Sequence, residues 1–199
     1  MIPTFTCPIT LASQSPRRIE LLHKIGLEFS VHPAGVPEPP AVPGENPLEY
    51  AQKMALMKAR KVADELPDHL VIGADTVVVV AENILGKPAT DDEAREMLNL
   101  LANRWHLVTT AYAMVKEDQQ FEFAHQQTTR VHFRALSTAE IEHYINTGSP
   151  FDKAGAYGIQ DYSAIFVDAI DGCFYNVVGL PLSHLVDSLI IVSDQLSSA

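Results

Sequence analysis

The sequence predicts a mixed α/β fold, a central twisted mixed β-sheet flanked by helices. Residues 71–80 form an apolar, β-branched run that is typical of a buried strand. Residues 106–133 indicate a long hairpin of two strands around a polar turn at 116–120. Helical segments with capping residues and apolar stripes precede, separate and follow these strands, which is the pattern of an α/β protein.

Length and composition favour one domain. The 199 residues, 47% of them hydrophobic, are enough for a sizeable core. We expect a single domain over 1–199, with two lobes that do not fold independently. Residues 33–47 hold six prolines, which indicates a long loop with a function and makes this stretch only a weak candidate for a domain boundary.

The charge of the chain excludes some partners. A net charge of −11 argues against non-specific binding to nucleic acid or to an anionic membrane, so an anionic ligand needs a local basic pocket. Residues 1–7 lack the pattern of a signal peptide, and no apolar run approaches the ~20 residues of a membrane span. Cys7 and Cys173 indicate two reduced thiols, and the histidines show no zinc-ligand spacing. We therefore expect a cytoplasmic protein.

The first elements follow from local signals. A short strand at 9–11 runs into Ser15 and Pro16, an N-cap and first position typical of a helix, which Gly26 ends. Asn46 and Pro47 begin a second helix in the same way.

Lys58 falls on the apolar stripe of this second helix, seven residues after Ala51 and four after Met54. Lysines are seldom fully buried without a partner. Either its long stem leads the ammonium group out to water, or the ammonium group meets an anion inside the protein.

The later elements are predicted in order. A tight turn at 81–83 follows the central strand, Thr90 with Glu93 caps a third helix reaching about Ala102, and Ser137 with Glu140 caps a fourth. Residues 149–160 are small and polar, which suits a backbone that approaches a ligand closely. We expect a closing hairpin of 165–170 and 174–178 around Asp171-Gly172, and an amphipathic helix from 182 onward.

Asp75 is one carboxylate inside the buried strand, where an ionised group is costly unless cations or hydrogen-bond donors hold it. It either caps a turn at the strand end or is held there for chemistry.

Residues 13–18, Ser-Gln-Ser-Pro-Arg-Arg, place hydroxyls, backbone N–H groups and two guanidinium groups at a helix N-terminus. This pattern suits an anion, although a capped helix with two exposed arginines has the same sequence. Neither G-x-x-x-x-G-K-[ST] nor G-x-G-x-x-G is present.

Further charged residues match an anionic, metal-bound ligand. Glu38 and Asp75 are of the type that binds a hard divalent cation, which takes few protein carboxylates together with substrate oxygens. The cations available to neutralise a polyphosphate are Arg17, Arg18, Lys58, Lys87 and Lys153. Together these residues predict metal-assisted attack of water on a phosphorus atom.

Motifs over nearly the whole chain resemble those of the Maf family of nucleoside triphosphate pyrophosphatases. They are LASQSPRR (11–18), GADT (73–76), GKP (86–88), HLVTT (106–110), DKAGAYGIQ (152–160) and VVGLP (177–181). The resemblance implies an elongated, two-lobed fold like that of the ITPases, with a cleft between the lobes. It implies hydrolysis of a nucleoside triphosphate to the monophosphate and pyrophosphate with Mg²⁺ or Mn²⁺, and a homodimer.

The resemblance also implies residue roles. Asp75 is the proton acceptor and, with Glu38, a metal ligand, while Lys58 and Lys87 complete the catalytic charges. Substrate binding is implied for Ser13, Ser15, Arg17, Arg18, Thr76, Asp152, Lys153 and Gln160. His106 also lies in a family motif, but we interpret it as structural.

Substrate choice follows from the same resemblance. Arg17, Thr76 and Gln160 are similar to the subgroup acting on dTTP and UTP, and an amide suits the edge of uracil or thymine. The subgroup that acts on 7-methyl-GTP carries Trp, Gln and Glu at the three corresponding positions. Two residues depart from the family pattern. Ser149 stands where the family usually has an acidic residue, and Asp161 stands where it commonly has glycine. Asp161 leaves a 7-methyl-GTP pyrophosphatase as one alternative. The resemblance to the family also implies a second alternative, a nucleotide-binding regulator of septum formation.

Overall fold

The computed structural model describes residues 2–42 and 44–198, so Pro43 of the Pro-rich loop lies outside the described residues. Within that part of the chain, no helix combines the length and the apolar character needed to cross a membrane. Cys7 and Cys173 are free thiols.

The predicted mixed α/β fold with a central sheet is confirmed. Seven strands form one sheet in the order β2-β1-β3-β5-β6-β7, and β4 pairs with β3. The strands are β1 (Ile9–Leu11), β2 (Ser30–Val31), β3 (Leu70–Val80), β4 (Asn83–Leu85), β5 (Arg104–Lys116), β6 (Phe121–Phe133) and β7 (Val167–Asp171). β1 pairs with β2 and β3 in parallel, and the other pairs are antiparallel.

Helices cover both faces of the sheet. They are α1 (Pro16–Lys24), α2 (Pro47–Glu65), α3 (Asp91–Leu101), α4 (Thr138–Ile145), α5 (Phe174–Val178) and α6 (Leu182–Ser197). α2 packs on one face through an Ala- and Val-rich cluster. On the other face, α1 and α6 share one apolar cluster, while α3 and α4 share a second. The sheet is therefore buried between one helix and two separate groups of helices.

Most predicted helix starts are confirmed by their caps. Asn46 Oδ1 accepts a hydrogen bond from the Leu48 backbone N–H at 2.9 Å. Ser137 and Glu140 form a reciprocal capping box. Ser15 occupies the N-cap position of α1, but its side chain makes no capping bond. α1 therefore begins at Pro16, whose fixed φ favours the first helical position.

The tight turn after β3 is also confirmed. Ala81 and Glu82 both have a left-handed backbone, with φ of 47° and 67°. Two consecutive residues with positive φ match the twist of antiparallel strands joined by a two-residue loop. The turn folds β4 back along β3.

The predicted closing hairpin is wrong in its second half. β7 forms and pairs with β6, but Phe174–Val178 is the short helix α5. Aromatic and β-branched residues made this segment resemble a strand. Hydrogen bonds of the buried Asn176 favour the helix instead. Its side chain donates to Val108 O at 2.8 Å and accepts from the Thr110 N–H at 3.1 Å. These two bonds attach one helical turn to β5.

One edge of β3 contains a gap that determines where the site lies. β5 pairs with Val71 to Val79 along the opposite edge. β1 pairs only with residues 70–72 and β4 only with residues 78–80, so both must lie on the same remaining edge. In the part of the chain that the structure describes, residues 73–77 have no strand partner on that edge. Asp75 is at the centre of this gap.

Candidate active site

Gly73 brings α2 unusually close to β3. A Cβ atom on Gly73 would lie 2.4 Å from the carbonyl oxygen of Ala55 and 2.7 Å from the backbone nitrogen of Ala59. Both distances are shorter than any van der Waals contact, so only glycine permits this packing. As a result the next turn of α2 carries Lys58 directly to Asp75.

Lys58 faces inward and meets two carboxylates. Its Nζ lies 2.7 Å from Asp75 Oδ1 and 2.6 Å from Glu38 Oε1, and its side chain is only 10% exposed. The ammonium group therefore does not extend to water, and the second alternative for this lysine is correct. Asp75 lies mid-strand and buried, so it does not cap a turn.

Glu38 comes from the Pro-rich loop and is held by two lysines. Besides Lys58, Lys87 Nζ lies 3.2 Å from Glu38 Oε2. Tyr50 in the first turns of α2 donates its hydroxyl to Pro39 O at 2.9 Å, which ties this loop to the helix. Burial alone would raise the pKa of Glu38, but its bonds to Lys58 and Lys87 lower it to about 2. Glu38 is thus an anion at neutral pH.

Asp75 is in a different environment from Glu38. Burial raises the pKa of Asp75 above its ordinary value, and the charges of Lys58 and Arg18 only partly oppose this effect. Asp75 Oδ1 accepts from Lys58, and Oδ2 receives no hydrogen bond from the described residues. The side chain therefore has raised basicity and one oxygen available to a ligand.

Arg18 is held in place by three hydrogen bonds. Its Nε donates to Gly179 O at 3.1 Å, Nη1 to Ser13 Oγ at 3.2 Å and Nη2 to Thr76 Oγ1 at 3.0 Å. A guanidinium group has five N–H donors, so two remain for a ligand. Burial lowers the pKa of Arg18, and the nearby carboxylates of Asp75 and Glu38 raise it.

The segment 149–161 carries a second ionic cluster. Lys153 is buried, and its Nζ donates to Ser149 O at 2.6 Å and to Asp152 Oδ1 at 2.5 Å. Asp161 Oδ2 lies 3.0 Å from the same nitrogen, and Arg17 Nη1 lies 3.1 Å from Asp152 Oδ2. The two departures from the family pattern, Ser149 and Asp161, thus both contact Lys153.

The backbone of Asp161 does not need glycine, because its φ is −98°. The presence of Asp161 where the family commonly has glycine therefore causes no backbone strain. Its carboxylate instead adds a negative partner for Lys153, one residue from Gln160.

These groups surround one cavity of about 440 Å³. Every residue predicted for the site lines this cavity except Ser13, whose Oγ accepts hydrogen bonds from two lining residues, Arg18 Nη1 and the Ser15 backbone N–H, both at 3.2 Å. The predicted residues that line it are Ser15, Arg17, Arg18, Glu38, Lys58, Asp75, Thr76, Lys87, Asp152, Lys153 and Gln160.

Tyr50 and Gly179 also line the cavity and were missed. Tyr50 lies on the apolar stripe of α2, where a core tyrosine and a site tyrosine have the same spacing. Gly179 lies in the VVGLP motif, which was the only signal that could have found it. His106 is buried and contacts Tyr157 Oη at 2.7 Å, away from the charged groups of the cavity.

The donors of this cavity suit a hard divalent cation that shares its coordination with a ligand. No group of three or more His, Cys, Asp or Glu side chains that could hold a metal occurs in residues 2–42 and 44–198. Asp75 and Glu38 supply two carboxylates, and Mg²⁺ binds through one or two carboxylates together with phosphate oxygens and water. The free Oδ2 of Asp75 fits this requirement.

The fold and the cavity define an α/β protein with a cleft for a multiply charged anion. Residues 8–191 match the sequence profile of the family described as Maf-like protein, and the chain belongs to the Maf family.

Two relatives have similar length and sequence. The dTTP/UTP pyrophosphatase of Symbiobacterium thermophilum is 47% identical over 181 residues, which cover 91% of this chain and 92% of the relative. The dTTP/UTP pyrophosphatase of Dictyoglomus thermophilum is 44% identical over 177 residues, with 89% and 92% covered.

A solved structure of a HAM1 protein from Coxiella burnetii shares the fold. It aligns with a TM-score of 0.50 over 93% of this chain and 99% of its own, at 17% sequence identity. This likeness bears on the fold alone.

Proposed function

We propose that this protein hydrolyses nucleoside triphosphates, with dTTP and UTP as its substrates, to the monophosphate and pyrophosphate. The observation that carries the proposal is the Lys58 ammonium group between Asp75 and Glu38, at 2.7 and 2.6 Å, in a cavity that also holds Arg18 and Lys87. Relatives named dTTP/UTP pyrophosphatase, with 91% and 89% of the chain covered, support the substrate class.

In this proposal Asp75 and Glu38 hold a Mg²⁺ or Mn²⁺ ion. These two residues would hold the ion, which would supply positive charge against the negative charge of the triphosphate. Lys58 keeps the two carboxylates together and ionised before substrate arrives, since two neighbouring anions repel each other without a cation.

Asp75 acts as the proton acceptor. Its raised pKa makes it a better base than an exposed aspartate. It takes a proton from water as the water oxygen bonds to the α-phosphorus, while the bond from that phosphorus to the bridging oxygen breaks and pyrophosphate leaves.

The cations bind and orient the triphosphate. Arg18 uses its two remaining N–H donors, and Ser15, Arg17 and Lys87 provide further donors around the same cavity. The charges of Asp152 and Lys153 are paired with each other, and Asp152 is also paired with Arg17. Because these charges are already neutralised, the two residues act on the ligand indirectly, by orienting their side of the cleft.

The nucleobase contacts the side of the cavity that carries Thr76 and Gln160. The Gln160 amide offers a donor and an acceptor, which matches the alternating carbonyl and N–H groups of uracil and thymine. Arg17, close to Asp152, completes the proposed specificity set.

The test is pyrophosphate release from dTTP, UTP, CTP and 7-methyl-GTP, each with Mg²⁺, with Mn²⁺ and with chelator. We expect turnover of dTTP and UTP that requires the cation and exceeds turnover of the other two nucleotides. Absence of pyrophosphate release from all four nucleotides would overturn the proposal, while a preference for 7-methyl-GTP would leave the reaction and change the substrate.

A further inference from the structure

Thr76 and Thr110 form a polar contact between two apolar clusters of the core. On β3, Thr76 lies between Ala74 and Val78, which belong to different clusters. Thr110 is its partner on β5, and the two Oγ1 atoms are 2.9 Å apart. Thr76, one of the two residues in this contact, also bonds the cation Arg18.

The hydrogens of this contact can be assigned from its two ends. At one end Arg18 Nη2 lies 3.0 Å from Thr76 Oγ1, and a guanidinium group only donates. At the other end Thr110 Oγ1 lies 2.8 Å from the carbonyl oxygen of Asn176, which only accepts. Each threonine between them has a single hydroxyl hydrogen.

Only one arrangement places a hydrogen in all three contacts. Arg18 donates to Thr76, Thr76 donates to Thr110, and Thr110 donates to Asn176 O. If Thr110 donated to Thr76 instead, its oxygen and the Asn176 carbonyl oxygen would be 2.8 Å apart with no hydrogen between them. Such an arrangement is repulsive, so the chain of hydrogen bonds has one direction.

The far end of this chain is anchored. Asn176 is fully buried, and its amide group donates to Val108 O at 2.8 Å and to Thr129 Oγ1 at 3.0 Å. Its Oδ1 accepts from the Thr110 N–H at 3.1 Å. These side-chain bonds hold Asn176 against β5, so its backbone carbonyl oxygen is a fixed acceptor for Thr110 Oγ1.

We infer that Thr110 is a positioning residue of this active site, acting on the ligand through Thr76 and Arg18. It accepts the Thr76 hydrogen, so Thr76 turns only a lone pair toward Arg18 and the cavity. Arg18 is thereby held with its two remaining donors free for phosphate. The inference rests on the proposed function, because it concerns the binding of the same nucleotide.

The test compares Thr110→Val with Thr110→Ser. Valine removes the hydroxyl, frees the Thr76 hydrogen and loosens Arg18, so we expect the KM for dTTP to rise about 5- to 20-fold while kcat changes less than about 2-fold. Serine keeps the hydroxyl and should return KM to within about 3-fold of the wild-type value. A variant that was only less stable would contain a smaller fraction of active enzyme. Its apparent kcat would fall, and its KM would stay unchanged.

Thr109→Val is the matched control. Thr109 is the neighbouring residue on β5, is also buried, and bonds Thr128 Oγ1 at 2.9 Å on the opposite face of the sheet. We expect it to leave KM unchanged. A wild-type KM in Thr110→Val, or an equal rise in KM in Thr109→Val, would overturn the inference.

The dissociation constant of dTTP, measured by calorimetry on the same variants without catalysis, separates the two proposals. If the wild-type protein binds dTTP but does not hydrolyse it, the proposed function fails, and the weaker binding expected for Thr110→Val still decides the role of Thr110.

Discussion

The Lys58 ammonium group shows how single residues stabilise this cavity. Two carboxylates in a partly desolvated cleft repel each other, and an unpaired buried charge costs several kcal/mol. Lys58 lies between Asp75 and Glu38 and bonds both, so each of the three charges has an opposite neighbour. Burial raises the pKa of Asp75, and the pairing with Lys58 opposes this effect, which allows a carboxyl group inside an apolar strand.

Asp75→Asn removes the proton acceptor and keeps the shape of the side chain. We expect kcat for dTTP to fall about 10²- to 10⁴-fold, because an amide cannot take the proton of water. Pyrophosphate release and dTTP affinity are the measurements, and affinity should change far less than kcat. Asp64→Asn, at an exposed position of α2, is the control with expected wild-type rate. A wild-type kcat in Asp75→Asn would remove Asp75 from the mechanism.

Tyr50→Phe removes the hydrogen bond that ties the Glu38 loop to α2. Tyr50 Oη donates to Pro39 O at 2.9 Å, and burial raises the pKa of Tyr50, so its hydroxyl keeps its proton. We expect kcat/KM for dTTP to fall about 3- to 10-fold, since one buried hydrogen bond is lost. The cation concentration for half-maximal rate should rise as well.

The control for this variant is Tyr162→Phe, which alters an exposed tyrosine. If Tyr50→Phe shows the wild-type kcat/KM and the wild-type cation requirement, the loop does not depend on this bond.

At the scale of elements, the close packing of α2 on β3 brings the catalytic charges together. Gly73 permits the contact, and Lys58 and Asp75 meet because of it. The gap in the edge of β3 then opens this pair to the first turn of α1, which supplies Arg18, and to the loop after β4, which supplies Lys87. The geometry of the site is therefore a property of the sheet edge.

Gly73→Ala tests this packing. The new methyl group would lie within 3 Å of the α2 backbone, so the helix must move or the protein must lose stability. We expect the free energy of unfolding, measured with urea, to fall by about 2–4 kcal/mol, with loss of activity. Gly86→Ala meets no atom within 4 Å and should change stability by less than about 1 kcal/mol. Equal stability of the two variants would contradict the close contact.

The elements also show which signals in the sequence are reliable. The capping box of Ser137 and Glu140 and the place of Lys58 on the apolar stripe of α2 were predicted correctly, because helix geometry relates residues three and four apart. The segment 174–178 was predicted as a strand and is helical. Its conformation depends on bonds from Asn176 to β5, 66 and 68 residues away in the chain.

At the scale of the whole molecule, His106 links global stability to pH. It is buried between Phe133 and Tyr157, both of which contact its ring edge-on. Burial lowers the pKa of His106 to about 4. In the unfolded chain a histidine titrates near 6.5, so between these values only the unfolded state binds the proton.

Protonation of His106 therefore favours the unfolded state as the pH falls. The contribution of neutral His106 to the free energy of unfolding is fully present above about pH 6.5, and it is lost as the pH falls toward 4. We expect wild-type unfolding free energy to decline by about 3 kcal/mol over this range from His106, measured by urea unfolding at several pH values. His106→Gln should have a shallower pH dependence, whereas His143→Gln, at an exposed position, should keep the wild-type slope. Identical slopes in all three proteins would contradict the buried, neutral state of His106.

The homodimer implied by the resemblance stays a prediction at this scale, as do the single-domain organisation and the cytoplasmic location.

The sequence by itself determined the helix starts, the central strand and the list of charged candidates, because caps, periodicity and motifs act over a few neighbouring residues. It also indicated that Lys58 points inward. Only the tertiary structure decided that Lys58 lies between Asp75 and Glu38, that the edge of β3 is open around Asp75, and that Thr110 stands behind Arg18. The physical reason is that strand pairing and helix packing join residues at no fixed spacing along the chain.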